Sequence, residues 1–177
     1  DGFRCSRSLA RTLRRERFSV TCNAAFAGVM DACAAPRTYG SGETWISARI
    51  RASYIELHRL GQAHSIECWR DGALVGGLYG VGFDRVFCGE SMFSHVTDAS
   101  KVALVHLVAR LRRGGFRLLD AQFITPHLAR FGAIQIGRRD YQRRLADALM
   151  VEADYGCFGA GGRTSGEDAL QAVSQTS

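Results

Sequence analysis

The spacing of hydrophobic positions changes period several times along the chain, and each change marks an element. From Arg49 to Leu60 apolar residues recur at helical spacing, with Ser47 placed as N-cap and Gly61 as the stop. His64–Trp69 alternates as a strand does, and Asp71-Gly72 predicts a tight hairpin into a second strand, Leu74–Gly82. A third strand follows at Arg85–Gly89. Gly76-Gly77 within the second strand predicts a bulge or a close backbone approach. The strongest helix is Ala99–Arg113, with an apolar stripe at Val102, Leu104, Val105, Val108 and Leu111. Asp98 or Ser100 is placed to cap it and Gly114-Gly115 to end it. Phe116–Ala121 reads as a buried strand, Pro126–Phe131 as a short helix, Ala133–Ile136 as a strand and Arg139–Leu149 as a closing helix.

Upstream, Ser8–Arg15 reads as a basic helix, Arg17–Cys22 as a strand, Ala24–Cys33 as a small helix, and Thr38–Glu43 as a loop. A strand meander, a long helix, then strand–helix–strand predicts an α/β (α+β) fold, a mixed sheet flanked by helices, like the GNAT-type acyltransferase fold. Residues 1–150 form this domain, and 151–177, turning to Gly, Ser, Thr and Asp, reads as a disordered tail.

Composition narrows the class. At 177 residues, 46% hydrophobic and 23% charged, the chain can bury one core. No apolar run approaches the roughly 20 residues of a membrane span, and the N-terminus has no apolar signal core. The expectation is a soluble, cytoplasmic monomer, and Asp1 in the place of Met predicts a fragment or processed product. Lys and Arg total 23 against 17 acids, and Lys101 is the single lysine. Arginine's flat, two-pronged donor set suits a polyanion, and its clustering fits either a nucleic-acid partner or a solvated face. The clusters include Arg11, Arg14 and Arg15, then Arg112 and Arg113, then Arg138, Arg139, Arg143 and Arg144. The six cysteines form no Cys-x-x-Cys pair and sit at no ligand spacing from histidine, so no metal and no disulfide framework is expected.

Two clusters carry candidate chemistry. Glu90 follows a strand among Phe, Cys and Met, where it either caps the next helix from a loop or pairs with a cation. Asp120 and Gln122, two apart at a strand's C-terminal end, fall on one face, as either a structural pair or an active-site pair. The histidines show no triad spacing, and no Gly-rich phosphate loop precedes the long helix, against an ordinary acetyl-CoA site.

The runs Ala63-His64-Ser65-Ile66-Glu67, Gly76-Gly77-Leu78-Tyr79-Gly80-Val81 and Gly89-Glu90-Ser91-Met92-Phe93-Ser94 closely resemble the leucyl/phenylalanyl-tRNA–protein transferase family. Leu57-His58-x-Leu60-Gly61, Ala99-Ser100-Lys101, Asp120-x-Gln122 and His127-Leu128 extend the resemblance from about Ser6 to Leu149. It implies a GNAT-like enzyme that moves Leu, Phe or Met from aminoacyl-tRNA to an N-terminal Arg or Lys of a protein, as in the N-degron pathway. Aminoacyl-tRNA is then co-substrate, and no cofactor is required. Residue by residue, the resemblance implies that Asp120 polarises the Gln122 amide, whose oxygen receives the attacking α-amine, and that Glu90 holds the acceptor's cation. It also implies an aminoacyl pocket of Trp45, Leu78, Phe87, Leu104, Leu107 and Leu119, and tRNA contacts from Arg11, Arg14, Arg15, Arg112 and Arg113. The family's small N-terminal domain is not in this sequence, Ala121 stands where Cys is usual, and the 121–131 stretch is altered. These departures keep open an alternative, an amide-forming transferase with a small-molecule acceptor.

Overall fold

In the computed structural model, which describes residues 2–35, 44–159 and 164–174, four antiparallel strands are laid down in chain order. These are β1 (Ser19–Cys22), β2 (Ala63–Arg70), β3 (Ala73–Phe83) and β4 (Val86–Ser94). The fifth, β5 (Leu118–Asp120), lies parallel to β4, giving the order β1-β2-β3-β4-β5. A parallel neighbour needs a crossover, and the long helix between β4 and β5, α4 (Ala99–Arg113), supplies it.

Two cores flank the sheet. On one side α4 packs over Ile66, Cys68, Leu78 and Phe87, joined by Leu9 and Leu13 of α1 (Arg7–Arg14). On the other, α2 (Phe26–Ala34) and α3 (Ala48–Arg59) cover Ala63, Tyr79 and Phe93. This is the mixed α/β sheet with flanking helices that the pattern predicts, consistent with an acyltransferase-like fold. Short helices α5 (Pro126–Arg130) and α6 (Arg138–Ala148) follow β5.

Where local chemistry decides, the elements fall as read. Ser47 accepts the Ile50 N–H and opens α3. Asp71 and Gly72 both take positive φ, 53° and 76°, as a two-residue hairpin turn demands. Gly76 lets α4 sit on the sheet, since a Cβ there would lie 2.4 Å from that of Ala99.

Other readings are corrected. Neither Asp98 nor Ser100 caps α4 through its side chain; Asp98 instead pairs with Lys101 at 2.6 Å. Residues 133–136 form no strand, and β5 is three residues long and only partly buried. The predicted loop at 38–43 lies outside the described residues. The largest departure is the segment expected to be a disordered tail. Its described residues form a 3-10 turn (Tyr155–Phe158) and helix α7 (Gly166–Ser174), and Phe158, Ala169, Leu170 and Val173 enter the α4-side core.

Candidate active site at the end of strands β4 and β5

The site begins with a break in register. Tyr79 pairs with Ser91 and Gly80 with Gly89, so Glu90 is an extra residue that β3 does not match. Glu90 therefore lies inside β4, in a bulge, and not in a capping loop after a strand end. Parallel pairing sets Cys88 beside Asp120, which brings the end of β5 alongside this bulge.

Beyond Asp120 the chain leaves the sheet. Gln122 takes φ 61°, so strand alternation does not reach it, and the expected one-face pairing of Asp120 with Gln122 is replaced by a tighter turn. Asp120 Oδ1 accepts the backbone N–H of Gln122 at 2.7 Å and Oδ2 the Tyr141 hydroxyl at 2.8 Å. The Gln122 side-chain amide instead donates to Glu90 Oε2 at 3.1 Å. Asp120 thus fixes the turn while Glu90 orients the amide, a division of roles that spacing could not show.

Two tyrosines attach to the acids, and neither stood out in the sequence. The Tyr54 phenol is pushed up to about 12 by burial, by the charge of Glu90 and by a hydrogen bond to it. That of Tyr141, on α6, rises to about 12 through its bond to Asp120, then burial. Tyr141 is the one aromatic residue in a helix rich in charge, a faint signal that it faces something. The Cys88 thiol is raised to about 11 by burial and by the charges of Asp120 and Glu90, so it stays protonated.

Two cavities share the turn. The first, about 550 Å³, is lined by Leu78, Leu104, Leu107 and Leu119 together with Glu90 and Gln122. The second, about 740 Å³, is lined by Asp120, Ile124, Ile134, Ile136 and Tyr141. Leu119, Gln122 and Arg144 border both.

Four of the six proposed aminoacyl-pocket residues thus meet at one cavity; Trp45 and Phe87 do not line it. Phe87 is fully buried against Phe116 and Phe158, and Trp45 stands half exposed, edge-on to Tyr54. The arginines divide as well. Arg11 on α1 and Arg15 at its C-cap are exposed. Arg14 pairs with Glu167 at 3.1 Å, Arg112 donates to the Ala172 carbonyl at 3.0 Å, and Arg113 donates to the Thr164 hydroxyl at 2.9 Å. These three tie down the 164–174 segment, which engages guanidinium donors that the sequence offers to phosphate. Among the described residues no three His, Cys, Asp or Glu side chains are placed to hold a metal ion, and no helix is long and apolar enough to cross a membrane.

The family model described as leucyl/phenylalanyl-tRNA protein transferase matches residues 1–146. A protein of that name from Novosphingobium aromaticivorans is 68% identical over 148 residues, 84% of this chain and 56% of its own length. Others from Phenylobacterium zucineum and Rhodopseudomonas palustris strain TIE-1 are 55% and 52% identical. The matches cover 100% and 99% of this chain, and 81% and 77% of those proteins. The chain therefore spans little more than half the length of the first relative and about four-fifths of the others.

Proposed function

The chain belongs to the leucyl/phenylalanyl-tRNA–protein transferase family, and from that premise we propose that it transfers Leu or Phe from aminoacyl-tRNA to the N-terminal Arg or Lys of an acceptor protein. The observation that carries this reading is the Gln122 amide, 3.1 Å from Glu90, at the edge of a leucine-lined cavity of about 550 Å³. A leucyl or phenylalanyl side chain enters that cavity, where Leu78, Leu104, Leu107 and Leu119 replace its water; each methylene adds about 1–3 kcal/mol of selection.

The seated ester presents its carbonyl carbon at Gln122. The neutral α-amine of the acceptor attacks it, the new C–N bond forms, and the ester C–O bond to the ribose breaks. The amine's surplus proton ends on the departing ribose hydroxyl. Glu90 holds the NH₂ end of Gln122, which turns the amide oxygen toward the amine. An amide is a weak base, so it orients the N–H rather than removing the proton. Asp120 and Tyr141 keep Gln122 in its positive-φ turn. A carboxylate has about four lone-pair positions, so Gln122 and Tyr54 leave Glu90 capacity for the acceptor's guanidinium or ammonium.

Incubation with leucyl-tRNA and a peptide that begins with Arg should add the mass of one leucyl group to the peptide. A peptide that begins with Ala should gain none, and equal labelling of both would overturn the assigned acceptor specificity.

A further inference from the structure

Arg144 borders both cavities, and among the described residues it has no ion-pair partner. Its neighbours explain why it is left over. Asp140, the acid in the first turn of α6, is taken by Arg143 at 2.8 Å. Asp120, the one acid lining the second cavity, already accepts from the Gln122 N–H and the Tyr141 hydroxyl. Tyr141 lies three residues before Arg144, one helical turn, so the contact that fixes Asp120 also fixes the stretch of α6 that carries this cation. Glu90 lines the first cavity and Asp120 the second, yet Arg144 pairs with neither, and a cation that stands unpaired beside apolar walls (Leu118, Leu119, Ile134 and Ile136) is suited to an anionic ligand group.

Resting on the function proposed above, we propose that Arg144 binds the phosphate on the 5′ side of the terminal nucleoside of the aminoacyl-tRNA. An ester whose acyl chain fills the first cavity has its carbonyl at Gln122. Its ribose then extends past the shared turn into the second cavity, and that phosphate is the anion nearest the reacting carbon. Arg144 stands where the two cavities meet. The site takes a nucleoside 5′-monophosphate group. It is separate from the exposed arginines of α1, which are placed for phosphates farther along a tRNA.

The test compares two minimal donors, leucyl ester of adenosine and leucyl ester of adenosine 5′-monophosphate, with an Arg-starting peptide as acceptor. The intact chain should use the phosphorylated ester about ten-fold better in kcat/KM. Arg144→Ala should erase that preference, and Arg144→Lys should keep part of it. Arg117→Ala removes a cation that lines only the first cavity and should leave the preference in place. An unchanged ratio in Arg144→Ala, or no preference in the intact chain, overturns the assignment. Affinity for adenosine 5′-monophosphate against adenosine, measured by calorimetry, reads the same site without turnover. Loss of the phosphate gain in Arg144→Ala there supports the site even if leucyl-tRNA is not a donor, in which case the proposed transfer fails alone. Equal affinity of the intact chain for both ligands overturns the site whatever the transfer assay gives.

Discussion

Glu67 on β2 and Glu90 on β4 are carboxylates of the same sheet in opposite situations. Glu67 is fully buried, and its partners are all neutral: the Ser65 hydroxyl, the Thr21 hydroxyl at 2.5 Å and the Ala24 N–H at 3.4 Å. Thr21 in turn accepts the Trp69 indole N–H at 2.8 Å, so the cluster ties β1 to β2. Ser65 sits on β2 itself and Thr21 on the adjacent β1, so neither donor can leave. Glu90 is partly exposed, faces a cavity, and is held by an amide from a turn. Acids of one sheet thus differ in use because of who holds them. Fixed donors on every side make an acid structural, whereas a displaceable partner beside open space leaves it available to a ligand.

The sharpest way to break this contrast is to delete both carboxylates in turn. Glu67→Ala strands the Ser65 and Thr21 hydroxyls in the interior and should destabilise the fold by about 3 kcal/mol or more, whereas Glu90→Ala should cost about 1 kcal/mol or less. Urea unfolding of both variants reads this, and equal losses would remove the distinction.

Acid should strain the buried interior next, through two histidines on the α4 side of the sheet. Burial lowers both His64 and His106 to about 4 from an ordinary 6.5. The unfolded chain then binds more protons below 6.5, so stability is full above that pH and falls as pH drops toward 4. At pH 5 each contributes a loss of about 2 kcal/mol. A stability flat from pH 7 to 5 would contradict this, and His106→Gln should halve the effect.

Glu90→Gln sharpens the comparison from the cleft side. It removes the charge at nearly constant size and should raise KM for an Arg-starting peptide by the equivalent of about 1.5–3 kcal/mol, with Tm almost unchanged. A fall in Tm with KM intact would make Glu90 a second Glu67. Smallest is Tyr141→Phe, which removes one of Asp120's two donors and should lower kcat three- to ten-fold, about 1 kcal/mol, without moving peptide KM. A KM change instead would place Tyr141 in acceptor binding.

The comparison also shows what a sequence carries openly. The start of α3 and the Asp71-Gly72 turn depend on a Ser hydroxyl and on backbone freedom within a few residues, and both are legible. Glu90, Asp120 and Gln122 stand out in the sequence and meet in the structure, but the bonds among them differ from those that spacing predicts. The Gln122–Glu90 bond spans 32 positions and the Tyr141–Asp120 bond 21, and neither follows from local spacing. The stretches 155–159 and 164–174 are hidden for a related reason. Their small and polar residues look unstructured until Arg14, Arg112 and Arg113 supply partners and α4 supplies a surface.

The extra residue in β4 has a consequence for how the strand can change. Phe87 and Met92 both pack on the α4-side core although they lie five apart, an odd interval that an even-period strand cannot accommodate, while Phe93 packs on the opposite face. Glu90 therefore acts as a phase shift. Upstream and downstream halves of the strand are written in different frames, and one inserted position joins them. The sheet would pair without that position, so the extra residue serves the site and not the core. Removing residue 90 would leave Phe87 and Met92 an even four apart and Gly89 and Ser91 consecutive opposite Gly80 and Tyr79, so Met92 and Phe93 would keep their sides. A deletion variant should therefore keep a cooperative unfolding transition in urea while losing transfer activity, and loss of that transition would show that the bulge is needed for the fold.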